Sequence, residues 1–260
     1  MMINKKVRTM RLKEKVAIVT GGSRGIGKSI SLRYGEEGAI VAIVGQSNSE
    51  AAQAVAKEIT DGGGKAKVYA YDLSDLANCN QLIDDVVADF GTVDILVNNA
   101  GAFMPTPIED MTEEIWDTQL DLNLKSVFFL SKAAIAVMKP KGSGKIVNIT
   151  SIAGVGGFPN SAAYCASKGG LINMSKAMCL EIARFGININ SLAPGNIKTD
   201  LNAHLREVEG YDEHNASLTP NRVGHLEPDE LTGAAVYLAS DDANSVHGIN
   251  LLVDGGWAAW

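Results

Sequence analysis

An alternation that runs almost the whole length of the chain constrains its fold most strongly. Short runs rich in β-branched residues recur at 16–20, 40–44, 66–71, 93–97, 145–150, 187–192 and 250–253. Between them lie segments with helical spacing, at 25–37, 50–60, 76–90, 116–138, 162–184 and 229–239. Ala51, Val55 and Ile59 share one side of the second of these, and Leu82, Ile83, Val86 and Val87 mark the third. Strands that are apolar throughout are buried on both faces, and helices between them supply the crossovers that cover those faces. The pattern predicts an α/β fold, a doubly wound parallel sheet of seven strands with helices on both sides.

No repeat, low-complexity tract or Pro/Ser linker divides the chain, so residues 1–260 are expected to form a single domain. Residues 1–11 are basic and lead into no apolar run of the kind a secretory signal carries; they read as a flexible extension, and Met10 would serve equally as a start. Residues 198–227 are polar and lack strong periodicity. A segment of that length after a strand is expected to be a substrate-covering loop.

Charge and cysteine content narrow the partners. The formal net charge of -7 argues against nucleic acid or an anionic membrane, and no run of about 18 apolar residues exists to span one. Cys79, Cys165 and Cys179 are odd in number and lack metal-ligand spacing, as do the four histidines. They are expected to be reduced thiols in a cytoplasmic protein without a metal site.

Directly after the first strand comes Thr20-Gly21-Gly22-Ser23-Arg24-Gly25-Ile26-Gly27. Glycines 21, 25 and 27 permit a tight turn and close backbone approach to a pyrophosphate, and the following helix offers free N–H groups to phosphates. The second strand runs out as Val44-Gly45-Gln46-Ser47-Asn48, without the acid that would hold both ribose hydroxyls of NAD. Arg24 adds a cation that could reach a 2′-phosphate. NADP(H) is therefore favoured, and NAD(H) stays possible, with Gln46 or Ser47 serving its ribose.

Tyr164 and Lys168 stand about one helical turn apart, with Ser151 upstream. An ammonium near a phenol favours the phenolate and would lower its pKa from about 10. A serine hydroxyl nearby could hold a substrate oxygen.

These features, in this order, resemble the short-chain dehydrogenase/reductase family from about Leu12 to Trp257, and so imply a Rossmann fold. The matching residues are Thr20-Gly21, Gly25 and Gly27, then Asp72, Asn98-Asn99-Ala100-Gly101, Asn123, Ser151, Tyr164 with Lys168, and Pro194-Gly195. The resemblance implies that Tyr164 is the general acid/base, that Lys168 lowers its pKa and binds the nicotinamide ribose, and that Ser151 polarises the substrate oxygen. Asn123 would hold a water that relays protons from Lys168. Gly21, Ser23, Arg24, Gly25, Ile26 and Gly27 would cradle phosphates. Asp72 and Leu73 would meet adenine, Asn99, Ala100 and Gly101 the adenosine side, and Pro194, Gly195, Ile197 and Thr199 the nicotinamide. Read singly, Asp72 could be a helix cap, Asn98-Asn99 a turn and Asn123 a solvent-facing residue.

Two substrate classes follow from the resemblance. One is a free small ketone or secondary alcohol, such as a sugar, polyol, hydroxysteroid or aryl ketone. Gly154, Gly156, Gly157 and Phe158 would then build the pocket with the 198–227 loop, where Asn202, His204 and Arg206 could bind a polar group or simply face solvent. The other is a β-ketoacyl carrier protein, but the positions where such reductases carry arginines hold Phe129 and Leu180. A third reading, a dinucleotide sensor without catalysis, leaves Ser151, Tyr164, Lys168 and Asn123 without a purpose. In this family such chains commonly assemble as homotetramers through the two long central helices.

Overall fold

The computed structural model describes residues 10–259, so residues 1–9 of the expected extension lie outside the described residues. Arg11, at its end, is anchored. Its main-chain N–H donates to the Glu37 carboxylate at 3.1 Å, and its guanidinium meets the same group at 3.1 Å. Arg11 is thus held to the fold through the buried carboxylate of Glu37.

The first half of the fold comprises β1 (Val16–Thr20), α1 (Gly25–Glu36), β2 (Ile40–Gly45), α2 (Glu50–Asp61), β3 (Lys65–Ala70), α3 (Ala77–Phe90) and β4 (Ile95–Asn98). Next come α4 (Glu113–Leu120), a π-helical turn (Asp121–Lys125), α5 (Ser126–Lys141), β5 (Gly144–Ile149), α6 (Ala162–Ile182) and β6 (Ile187–Pro194). The last elements are α7 (Ala203–Arg206), α8 (Tyr211–Leu218), α9 (Thr232–Ala239) and β7 (Asn250–Val253). All seven strands pair in parallel, in the order β3-β2-β1-β4-β5-β6-β7.

Alternate residues of each strand feed two cores. Ala17 and Val19 of β1 pack with Ile30 and Tyr34 of α1, Val55 of α2 and Val236 of α9. Val16 and Ile18 face the other way, onto Leu82 and Val86 of α3 and a layer with Leu130 and Met138 of α5 and Met178 of α6. This two-sided burial is why the strands read as continuous apolar runs. Between β1 and β4 the winding reverses, and the carboxyl ends of the strands part there into a crevice, the usual ligand position in such sheets.

Two predicted elements differ. The single helix expected over 116–138 starts earlier and is interrupted by the π-turn, in which Asn123 is fully buried. Residues 198–227 hold α7 and α8 instead of forming an irregular loop. Both helices are short, four and eight residues, and too brief to show a periodic signature.

Candidate active site

The β1–α1 turn is shaped by backbone needs. Gly21 and Gly25 adopt φ of 63° and 51°, where a side chain would strain the chain. A Cβ on Gly27 would lie 2.1 Å from the Gly21 carbonyl oxygen, so only glycine lets α1 approach β1 this closely. The N-cap of α1, Arg24, makes no side-chain cap, which leaves first-turn N–H groups available to an anion. The cradle fits the pyrophosphate of a dinucleotide.

The neighbouring strand end completes the cradle's floor. Thr20 Oγ1 accepts the main-chain N–H groups of Asn99 and Ala100, each at 2.9 Å, and Asn99 Nδ2 donates to the Thr20 carbonyl at 2.9 Å. Asp72 anchors a tight turn by accepting from the N–H and hydroxyl of Ser74, and its other oxygen accepts from Gln46 Nε2 at 3.0 Å. The Ser74 hydroxyl and N–H, followed by Gln46, hold that carboxyl below its ordinary range. Arg24 is exposed at the rim and makes no ion pair among the described residues.

Ser151, Tyr164 and Lys168 meet on the wall of the same cleft, whose volume is about 1700 Å³. Ser151 caps the short turn after β5, its Oγ accepting the Ala153 N–H at 3.0 Å. Tyr164 enters from the first turn of α6, and the edge of Phe103 meets its ring at 4.8 Å between centroids. Lys168, one turn on and 5 % exposed, points its Nζ toward the sheet, where it donates to the Ile149 carbonyl at 2.9 Å and lies 5.7 Å from the Tyr164 ring centre.

The electrostatics here differ from expectation. Burial pushes the Tyr164 phenol up to about 12, and hydrogen bonding with Ser151 pulls it only partly back. Burial also lowers Lys168 to about 8. The ammonium does not bring the phenol into the neutral range, because desolvation by burial dominates.

Asn123 is fully buried in the π-turn. Its Oδ1 accepts the Ala102 N–H at 2.7 Å, while Nδ2 donates to the Ala102 carbonyl at 2.8 Å and to Ser167 Oγ at 3.2 Å. The amide is a clamp joining the segment after β4 to α6, and it does not face solvent. Every other predicted catalytic or cofactor-binding residue except Gly27 lines the cleft, from Gly21, Ser23, Arg24, Gly25 and Ile26 through Gln46, Ser47, Asp72 and Leu73 to Pro194, Gly195, Ile197 and Thr199. Of the predicted pocket residues Gly157 and Phe158 line it, whereas Gly154 and Gly156 pack against Lys168 and Trp257.

Residues 15–210 match the short chain dehydrogenase family profile. The chain belongs to the short-chain dehydrogenase family. It is 40% identical over 255 residues to the NADP-dependent (R)-specific alcohol dehydrogenase of Lentilactobacillus kefiri, covering 96% of this chain and 99% of that one. It is 39% identical over 248 residues to the 3-oxoacyl-[acyl-carrier-protein] reductase of Chlamydia trachomatis, covering 95% and 98%. The crystal structure of a gluconate 5-dehydrogenase from Burkholderia cenocepacia, in complex with NADP and tartrate, superposes with a TM-score of 0.92 at 35% identity, over 96% of this chain and 98% of that chain. This chain is an NAD(P)-dependent oxidoreductase acting on CH–OH groups, as the sequence implies, with NADP(H) favoured.

Seen as a short-chain dehydrogenase, the cleft holds groups that the motifs do not mark. Tyr211, His214, Asn215 and Leu218, spaced as one stripe of α8, all face it. Trp257 faces it too, stacked on Phe158 with centroids 4.9 Å apart and planes 19° from parallel. Phe158 was expected from its place after Ser151; the only sign of Trp257 is its position after Gly255-Gly256. Arg206 turns away, donating to the Thr199 carbonyl at 2.8 Å and to Asn202 Oδ1 at 2.5 Å, so it braces its own segment. Among the described residues no cluster of ligands could hold a metal ion.

Proposed function

We propose that the enzyme reduces the carbonyl, or oxidises the secondary alcohol, of a free small molecule, with Tyr164 moving the proton. When bound, the dinucleotide supplies or accepts the hydride; the chain provides geometry and proton flow. In the reducing direction the Tyr164 phenol donates to the carbonyl oxygen, which suits a group held protonated at neutral pH. The Ser151 hydroxyl orients that oxygen, and Lys168 binds ribose hydroxyls and leads a proton from solvent back to Tyr164, the reverse path serving oxidation. Gly21, Ser23, Gly25 and Ile26 hold the pyrophosphate and Arg24 the 2′-phosphate, with Gln46 and Ser47 beside it. Asp72, Leu73, Asn99, Ala100 and Gly101 border the adenosine. Pro194, Gly195, Ile197 and Thr199 border the nicotinamide. Asn123 keeps the floor of the site in register; a relay water, if held there, is bound by main chain, the amide being committed to Ala102 and Ser167.

The relatives include both enzymes of free alcohols and carrier-protein reductases at similar identity, and the surface favours the former. Leu180 is 86 % exposed where a carrier would need a cation, and Phe129 packs into the fold. The chain's net charge of -7 also opposes an acidic partner. Supporting residues for further expectations are local. Exposed Trp116, Phe128 and Leu180 on and beside the central helices favour pairing between copies, toward a homotetramer. Three free cysteines, two of them buried, favour a reducing, cytoplasmic setting. No helix among the described residues is long and apolar enough to cross a membrane. The single seven-stranded sheet favours one domain, with 198–227 as its substrate cover.

The observation that carries the reading is the meeting of Ser151, Tyr164 and Lys168 beside the glycine cradle. Assay of wild type and Tyr164→Phe with NADPH against free ketones and an acetoacetyl thioester tests it. Free ketones should turn over, and the variant should lose about 10³-fold in kcat while still binding NADPH. Retained activity in the variant, or turnover of the thioester alone, would refute it.

A further inference from the structure

The substrate end of the cleft is built around a flat apolar wall. Trp257 and Phe158 stack nearly parallel, and both face the cleft. The wall shares the cleft with the reacting groups, and Phe158 lies on the β5–α6 connection that also carries Ser151. A Cβ on Gly156 would lie 2.8 Å from the Trp257 ring, so this loop and the indole touch wherever glycine permits. Phe103, Ile152 and Ala153 continue the apolar lining around Tyr164.

Trp257 is held there firmly. The Asp254 carboxylate accepts the N–H groups of Gly256 and Ala258, each at 2.9 Å. Gly255 and Gly256 take φ of 66° and 90°, and their Cα positions abut Asn221 and Pro220 at the end of the cover. An indole fixed in this way is a preformed surface that needs no ordering when a ligand arrives.

Apart from Arg24 and Lys168, which the dinucleotide would engage, the charged side chains on the cleft are carboxylates. Glu114, Asp117 and Asp200 line it and make no ion pair among the described residues. Carboxylates focused in a cleft repel an anionic ligand and leave neutral ones unaffected.

We infer that the Phe158–Trp257 stack selects the substrate, and that it selects an uncharged cyclic or aryl ketone, or the matching secondary alcohol, over open-chain polyols and keto-acids. A planar ring gains from stacking and from the area it removes from water, and a hydroxylated chain gains neither. The inference rests on the reading of the enzyme as a reductase of free ketones.

Steady-state kinetics with NADPH on acetophenone, butan-2-one, erythrulose and 5-ketogluconate test it, in wild type, Trp257→Ala, Trp257→Phe and Phe158→Ala. In wild type, acetophenone should have the highest kcat/KM and 5-ketogluconate the lowest. Trp257→Ala should lower the acetophenone-to-butanone ratio about tenfold, mainly through KM, and Trp257→Phe should restore most of it. Phe158→Ala supplies the same test should Trp257→Ala fold poorly. An unchanged ratio in the alanine variants, or preference for erythrulose or 5-ketogluconate, overturns the inference while butanone turnover leaves the free-ketone reading standing. If no ketone is reduced, that reading falls, and the inference with it.

Discussion

The Lys168 ammonium donates to the main-chain carbonyl of Ile149, the last residue of β5, at 2.9 Å. The bond ties the helix that carries Tyr164 to the sheet. Burial meanwhile keeps Tyr164 a protonated acid held near 12.

The pH dependence should therefore differ between directions. Carbonyl reduction uses the phenol as acid, so its kcat/KM should stay level between about pH 6 and 8, where that form prevails. Alcohol oxidation needs the phenolate, whose fraction below its pKa rises tenfold per pH unit. Its kcat/KM should climb through the same interval, and initial rates in both directions check this; an oxidation profile already flat by pH 7 would place the phenol's pKa in the neutral range.

Lys168 should cost stability where it serves activity. Its pKa is lowered from 10.5 to about 8 by burial, so the folded state resists its charge. That penalty is fully present below about 8 and is relieved as pH rises from there toward 10.5, where the folded form releases its proton first. Lys168→Met should abolish turnover and raise Tm by a few degrees at pH 7, from up to about 3 kcal/mol relieved less about 1 for the bond to Ile149. The gain should shrink in melts at pH 9.

Arg24→Ala should weaken NADPH on the order of ten- to a hundredfold, the value of one or two charge-assisted hydrogen bonds, and NADH severalfold at most. Fluorescence titration with both dinucleotides measures it. Equal losses would remove Arg24 from the 2′-phosphate site.

Gly27→Ala should destabilise by at least about 2–3 kcal/mol, because the added methyl would overlap the Gly21 carbonyl and Asn99 Nδ2. Urea unfolding should show the loss, with weaker dinucleotide binding as the β1–α1 turn opens.

What could be read in advance depended on how local its cause was. The strands were legible because both their faces are buried, and the glycine turn because the backbone conformations at Gly21 and Gly25 admit little else. The π-turn at Asn123 was not, since widening a helix by one residue leaves the side-chain pattern almost unchanged. α7 and α8 fall below the length at which periodicity shows. Tyr164 and Lys168 were found from spacing, but spacing carries no information about desolvation, which sets their protonation. Trp257 is distant from Ser151 in the chain, and only the turn at Gly255-Gly256 brings it beside Phe158.

That turn also bears on how specificity can change. Gly255 and Gly256 rest on Asn221 and Pro220, so the Phe158–Trp257 wall and the proposed substrate cover share one foundation. A cover grafted from a relative would lose its seat unless residues 254–258 travelled with it. The two stretches form a cassette that has to be exchanged, in the laboratory or by descent, as a unit.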